Sequence, residues 1–343
     1  MGNNVVKEMN VSEIDSGAPE ITGEYTVHIP DTISDEWKEQ YLNYPDPNNF
    51  PVAPSKYDVE AWKVLQSSFE EQSIAQSAEF ITQLGVVYES TELGDVPVID
   101  VKPKGWEENG KVAIYTHGGA YTLLSAKSTL GTASLFADST GMRVISVDYT
   151  LAPYAGWSEV TDQIIAVIES LNKKGIENKN ILMFGESSGG ALASSVTLKM
   201  RDKKMALPGA VVMWSPWSDI TETGDSYYTL KNEDPTYLYE TILKPSADAY
   251  AKTEDHKNPY VSPVYGDYNK GFPPTLIQGG TKEIFLSNFV RHYQVIDNAD
   301  QVVKLDLYEG MPHIFQAILP YSKESKEALV KVNRFLNKYF HNQ

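Results

Sequence analysis

Residues 180–190 read NILMFGESSGG: an apolar run, then two adjacent serines packed among glycines. The run NILMFGE (180–186) has the short, continuously apolar character of a buried strand. The following GGALASSVTLKM (189–200) reads as a helix of small residues. A serine at such a strand-to-helix turn is held in a strained backbone conformation, and its neighbours at minus two and plus two must be almost without side chains. Gly185 and Gly189 meet that demand for Ser187. For Ser188 the flanking positions are Glu186 and Gly190, and one of those carries a long side chain. Ser187 is therefore the candidate nucleophile. The backbone N–H of Ser188 is a candidate donor to a developing oxyanion.

The stretches around this turn predict the fold class. Strand-like runs occur at 111–116, 142–149, 180–186, 209–215, 274–280 and 302–309, and helical patterns lie between them. Over 159–173, Val160, Ile164, Ile165, Val167, Ile168 and Leu171 fall on one helical side. Over 323–339, Leu329, Val332, Phe335, Leu336 and Tyr339 do the same. Alternating strands and helices imply an α/β fold with a mostly parallel sheet covered on both faces. Upstream, 85–90 and 96–101 predict a hairpin turning at ELGD. Helices are expected over 33–44 and 59–80, separated by the proline-rich PDPNNFPVAP, while 1–30 is polar and irregular. Residues 220–260, rich in Tyr, Asp, Glu and Pro, read as an insertion. The division expected is a catalytic core at 81–219 and 261–343, with cap elements at 1–80 and 220–260.

A nucleophilic serine needs an oxyanion site, a base and an acid. The strand 111–116 ends in HGGAY (117–121), where Gly118 and Gly119 let backbone N–H groups approach a substrate oxygen. His117 leads this loop and reads as its structural support. In the chain order Ser, acid, His, the base must follow the acid. His292 is expected at the surface of a helix over 284–296, and His341 lies in the terminal tail. His313, in the loop EGMPHIF after the last strand, is the candidate base. The loop after the penultimate strand carries Glu283, the candidate acid. Asp219, after the earlier strand, is the alternative.

HGGAY, DYTLAP (148–153), GESSGG (185–190), SPWSDIT (215–221), GGTKEIFLSN (279–288) and GMPHIF (310–315) stand in one order and spacing. That pattern resembles the hormone-sensitive lipase-like family of α/β-hydrolases across about residues 80 to 340. The GTKEI variant is similar to the branch of acetyl esterases, arylesterases and monoterpene lactone hydrolases. Glu186 and Ser188 stand where the family usually has Asp and Ala. Thr150 and Tyr154 replace Arg and Glu, and Ala120 replaces a glycine. The resemblance implies an α/β-hydrolase fold with a helical cap. It also implies a serine carboxylesterase acting on small to medium acyl esters, with Glu283 as the acid. A lactone hydrolase, a peptidase or a non-catalytic small-molecule receptor are the other activities known on this fold.

Bulk properties agree. A chain of 343 residues with 41% hydrophobic residues can form a large core. The net charge of −17 argues against nucleic acid and anionic membranes as partners. There is no cysteine, which excludes thiol chemistry. No metal or nucleotide motif is present, so no cofactor is expected. The N-terminal stretch lacks a basic region followed by an apolar one. The expectation is a cytoplasmic enzyme with a small-molecule ester substrate and no stable membrane association, with a homo-oligomer open.

Overall fold

Among the described residues, eight strands form one sheet. They are β1 (Val87–Leu93), β2 (Val96–Lys102), β3 (Val112–Thr116), β4 (Arg143–Val147), β5 (Ile181–Glu186), β6 (Ala210–Trp214), β7 (Thr275–Gly280) and β8 (Val303–Tyr308). The computed structural model describes residues 28–341, so the part of the expected cap that falls in 1–27 lies outside it. The sheet order is β1-β2-β4-β3-β5-β6-β7-β8. β1, β2 and β4 pair antiparallel in turn, and β4, β3, β5, β6, β7 and β8 run parallel. The hairpin turn is shorter than ELGD. Leu93 still pairs with Val96, and Gly94 and Asp95 alone make the turn, at φ 61° and 62°. Two successive positive φ values match the right-handed twist of the strands on either side.

The helices are α1 (Asp35–Leu42), α2 (Val59–Leu84), α3 (Leu130–Thr140), α4 (Trp157–Lys173), α5 (Ser188–Asp202), α6 (Ser226–Thr229), α7 (Lys244–Tyr250), α8 (Leu286–Asp297), α9 (Phe315–Ile318) and α10 (Lys323–Tyr339). Strand residues alternate between two cores, as the two-residue period requires. Met183 and Met213 join the α4, α5 and α8 side, with Ile164, Val196 and Phe289. Phe184 and Trp214 join the α3 and α10 side, with Phe136 and Leu336. The apolar stripe read along α4 is buried throughout.

α2 runs four residues beyond the expected 80, to a left-handed Gly85. Its extra turn is held by packing: Phe80, Ile81 and Leu84 lie against the α3 and α10 core. α1 buries Trp37 and Tyr41 on Tyr308, Met311 and Phe315, close to the end of β8. Residues 220–260 form no strand and instead fold as short helical turns, including the π-turn Tyr239–Leu243. The fold therefore gathers the C-terminal ends of β3, β5, β7 and β8 on one side of the sheet, where ligands bind in open α/β structures.

Candidate active site

Ser187 joins β5 directly to α5, with φ 55° and ψ −127°. A serine holds such a backbone only when its surroundings dictate it. The surroundings here are backbone. A Cβ on Gly189 would run into the carbonyl oxygens of Thr116 and His117, and one on Gly185 into the carbonyl of Gly189. Strand β3 and the helix start thus approach closer than any side chain permits. Gly189→Ala should cost ~3 kcal/mol or more, because the clash is with backbone that cannot rotate away. A urea melt reads this; wild-type stability in the variant would mean that β3 can move aside.

His313 lies in the loop after β8, only 1% exposed, and Glu283 in the loop after β7, with no exposure. The His313 Nδ1 to Glu283 Oε2 distance is 2.8 Å. The other carboxylate oxygen, Oε1, accepts from the Ser215 hydroxyl at 2.8 Å and from the Gly280 N–H at 2.6 Å. Ser215 Oγ in turn accepts the Ile314 N–H at 3.0 Å, tying the acid to the residue after the base. Tyr237 and Phe285 meet the imidazole edge to face, at 5.0 Å and 5.3 Å between ring centres. Among the described residues, neither the Ser187 hydroxyl nor the buried His313 Nε2 has a hydrogen-bond partner. The structure thus joins Glu283 and His313 in the loops after the adjacent strands β7 and β8, and sets Ser187 at the same end of the sheet after β5, with β6 between. It leaves Asp219 elsewhere: that carboxylate accepts from Tyr265 at 2.9 Å and from Arg291 at 2.6 Å.

The oxyanion expectation needs one correction. The Gly118 N–H donates to Glu186 Oε1 at 2.6 Å and is not available to a substrate. Glu186 is fully buried, and its Oε1 also accepts from Tyr115 at 2.9 Å. Burial pushes its carboxyl above the usual carboxylate range. The glutamate in GESSGG therefore supports the HGGAY loop from beneath, and a Cβ on Gly118 would strike it. Among the described residues, the N–H groups of Gly119, Ala120 and Ser188 have no protein acceptor. Gly119 at φ 96° and Ala120 at φ 53° turn the loop there.

The other histidines do not enter this cluster. His117 stacks on Tyr149 with 4.2 Å between rings, and its carbonyl accepts the Tyr149 hydroxyl at 2.7 Å. Burial lowers its pKa, so it stays neutral as a prop for the loop. His292 is not at the surface as expected: it has no exposure and bonds Ser218 at 2.7 Å and Tyr268 at 2.8 Å. Burial lowers its pKa to about 3. The helical pattern set the residue on α8, but the packing of Tyr268 and Ser194 over that face was not visible in the local sequence. Ser215, Glu186, Tyr237 and Phe285 were likewise unassigned. Ser215 lay within the quoted SPWSDIT, whereas Tyr237 belongs to an insertion with no periodicity.

The sequence profile of the alpha/beta hydrolase fold family matches residues 113–317. An esterase of Acinetobacter venetianus is 33% identical over 227 residues, covering 66% of this chain and 74% of that protein. An acetyl-hydrolase of Streptomyces hygroscopicus is 28% identical, covering 80% of this chain and 92% of that protein. Among solved structures, an esterase (E25) superposes with a TM-score of 0.86 at 29% identity, covering 93% of this chain and 98% of that one. An esterase from the bacterial hormone-sensitive lipase family gives 0.71 at 28% identity, covering 77% and 90%.

Proposed function

We propose a mechanism from one premise: the chain belongs to the α/β-hydrolase family, in its hormone-sensitive lipase-like branch of bacterial esterases. It is a serine ester hydrolase of the carboxylesterase class. In our reading Ser187 Oγ attacks the ester carbonyl while His313 Nε2 takes its proton. Glu283 Oε2 accepts the Nδ1–H, holds that tautomer and stabilises the imidazolium. The tetrahedral oxyanion accepts from the N–H groups of Gly119, Ala120 and Ser188. Collapse breaks the C–O bond to the alcohol, which leaves with the proton from His313. Water, deprotonated by His313, then hydrolyses the acyl-enzyme. The observation that carries this assignment is the buried 2.8 Å pair of His313 and Glu283, taken together with the φ of 55° at Ser187.

Residues 1–80 and 220–260 act as the cap in this proposal, and Tyr237 of the second segment meets the imidazole of the base at 5.0 Å between ring centres. The substrate is a soluble ester with an acyl chain of roughly two to six carbons. The name of the Streptomyces relative points to acetyl groups. Among the described residues no helix is long and apolar enough to cross a membrane, and the charge of −17 disfavours anionic lipid surfaces, so we propose a cytoplasmic setting. Each methylene beyond the acyl pocket forgoes the ~0.8 kcal/mol that burial supplies. A p-nitrophenyl ester series below any micelle threshold should peak in kcat/KM within that range. A maximum at about twelve carbons, or activation at an oil–water interface, would overturn the assigned chain length.

A further inference from the structure

The insertion carries two adjacent acidic residues whose partners lie on either side of Glu283. Glu233 pairs with the Lys282 ammonium, and Asp234 Oδ2 accepts the Ile284 N–H at 2.8 Å. The other oxygen of Asp234 accepts from the N–H groups of Thr236 at 2.7 Å and Tyr237 at 3.1 Å. Those bonds close the turn that presents the Tyr237 ring to His313, at 78° between planes. One short segment therefore reaches both the acid and the base. The opposite edge of the acid's loop is held by the chain leading to His313: Thr281 N–H donates to Tyr308 O at 3.0 Å, and Lys282 N–H to Met311 O at 3.1 Å.

We propose that Glu233 and Asp234 are positioning residues, a clasp by which the insertion fixes the Glu283 loop and the His313 ring in their working geometry. This rests on the triad assigned above. Asp234 is 1% exposed, and a carboxyl is an expensive group to bury. An anchor that only filled space would be apolar. A carboxyl gives what a methyl group cannot, directed acceptors for three backbone N–H groups next to the reacting residues. The groups facing Asp234 are Glu283, His313 and Tyr44, with Tyr237 of its own segment and the Lys282–Glu233 pair alongside. Burial pushes its carboxyl up to about 7, with Glu283 adding to the rise and His313 opposing it. The clasp is thus in electrostatic as well as mechanical contact with the triad.

Asp234→Asn tests this with little change in shape. Its Oδ1 can keep Thr236 and Tyr237, but its amide N–H then opposes the Ile284 N–H. With p-nitrophenyl butyrate we expect kcat to fall ~10- to 100-fold with KM within about threefold. Glu233→Ala should lower kcat by about two- to tenfold through the other arm. The deciding measurement is a double-mutant cycle with Glu283→Gln. If Asp234 acts through the acid, its effect in that background shrinks to about twofold or less. A kcat at the wild-type level in Asp234→Asn, or the same fold-loss in both backgrounds, overturns the clasp. Should Asp234→Asn fail to fold, Glu233→Ala and Lys282→Ala replace it in the cycle with the same criteria. Ser187→Ala, run in parallel, separates the two levels. If it is inactive while the clasp variants match wild type, only the clasp falls; if it is active, the triad and the clasp fall together.

Discussion

Ser187→Ala lowers kcat by ~10³-fold or more, while Ser188→Ala keeps most of the wild-type rate. The first variant removes the only route to an acyl-enzyme, leaving what binding and the oxyanion donors supply. Effects of this size are expected because members of a nucleophile–base–acid unit do not contribute independently. The second variant removes a hydroxyl that accepts the Tyr121 N–H at 3.3 Å, a long bond, and keeps the backbone N–H proposed for the oxyanion. Both substitutions are small and lie at the start of α5, so folding is readily checked by circular dichroism. Steady-state kinetics on an aryl ester read the difference. An inactive Ser188→Ala with an active Ser187→Ala would shift the elbow by one residue and contradict the φ of 55° at Ser187.

The elbow was legible in the sequence because its constraint is local. Glycines at 185 and 189 are required by backbone approaches within a few residues and the neighbouring strand, so the pattern is written in one pentapeptide. Strands β3 to β7 were legible for a similar reason: both faces are covered, which leaves nearly continuous apolar runs, whereas the edge strand β8 mixes apolar residues with the exposed Lys304 and buried Asp306. The ends of all six parallel strands lie within two residues of those read. Helix α3 was not singled out. Its sequence, LGTASLFADST, has no side-chain cap at its start and a glycine in its first turn, and it is stabilised by Leu130, Phe136 and Ala137 packing on the sheet. The occupied Gly118 N–H was not legible because its partner, Glu186, lies 68 residues away. Glycine there reflects the need to clear Glu186, and the same local pattern would serve a free donor. His292 failed in the same manner, since only tertiary contacts distinguish a buried helix face from an exposed one.

Glu283→Gln is the second large effect, a loss of ~10³- to 10⁴-fold in kcat with the fold retained. The amide keeps the volume of the side chain, and its oxygen can still accept from Ser215 and Gly280, which now hold Oε1 at 2.8 Å and 2.6 Å. That leaves the amide nitrogen facing His313 Nδ1. Being a donor, it favours the tautomer with the proton on Nε2, and a protonated Nε2 cannot take a proton from Ser187. The imidazolium that forms in the transition state also loses its charged partner. Asp219→Asn should behave differently. Asp219 is fully buried, and its partners are Thr221, Tyr265 and Arg291, none of them at the elbow. Removing its charge leaves Arg291 without its counter-ion, so the variant should unfold at a lower temperature while its kcat at 25 °C stays within about threefold. Measuring Tm and kcat on both variants separates the two roles. If Asp219→Asn lost the rate and Glu283→Gln kept it, the acid would belong to the loop after β6, and the 2.8 Å contact between Glu283 and His313 would be structural only.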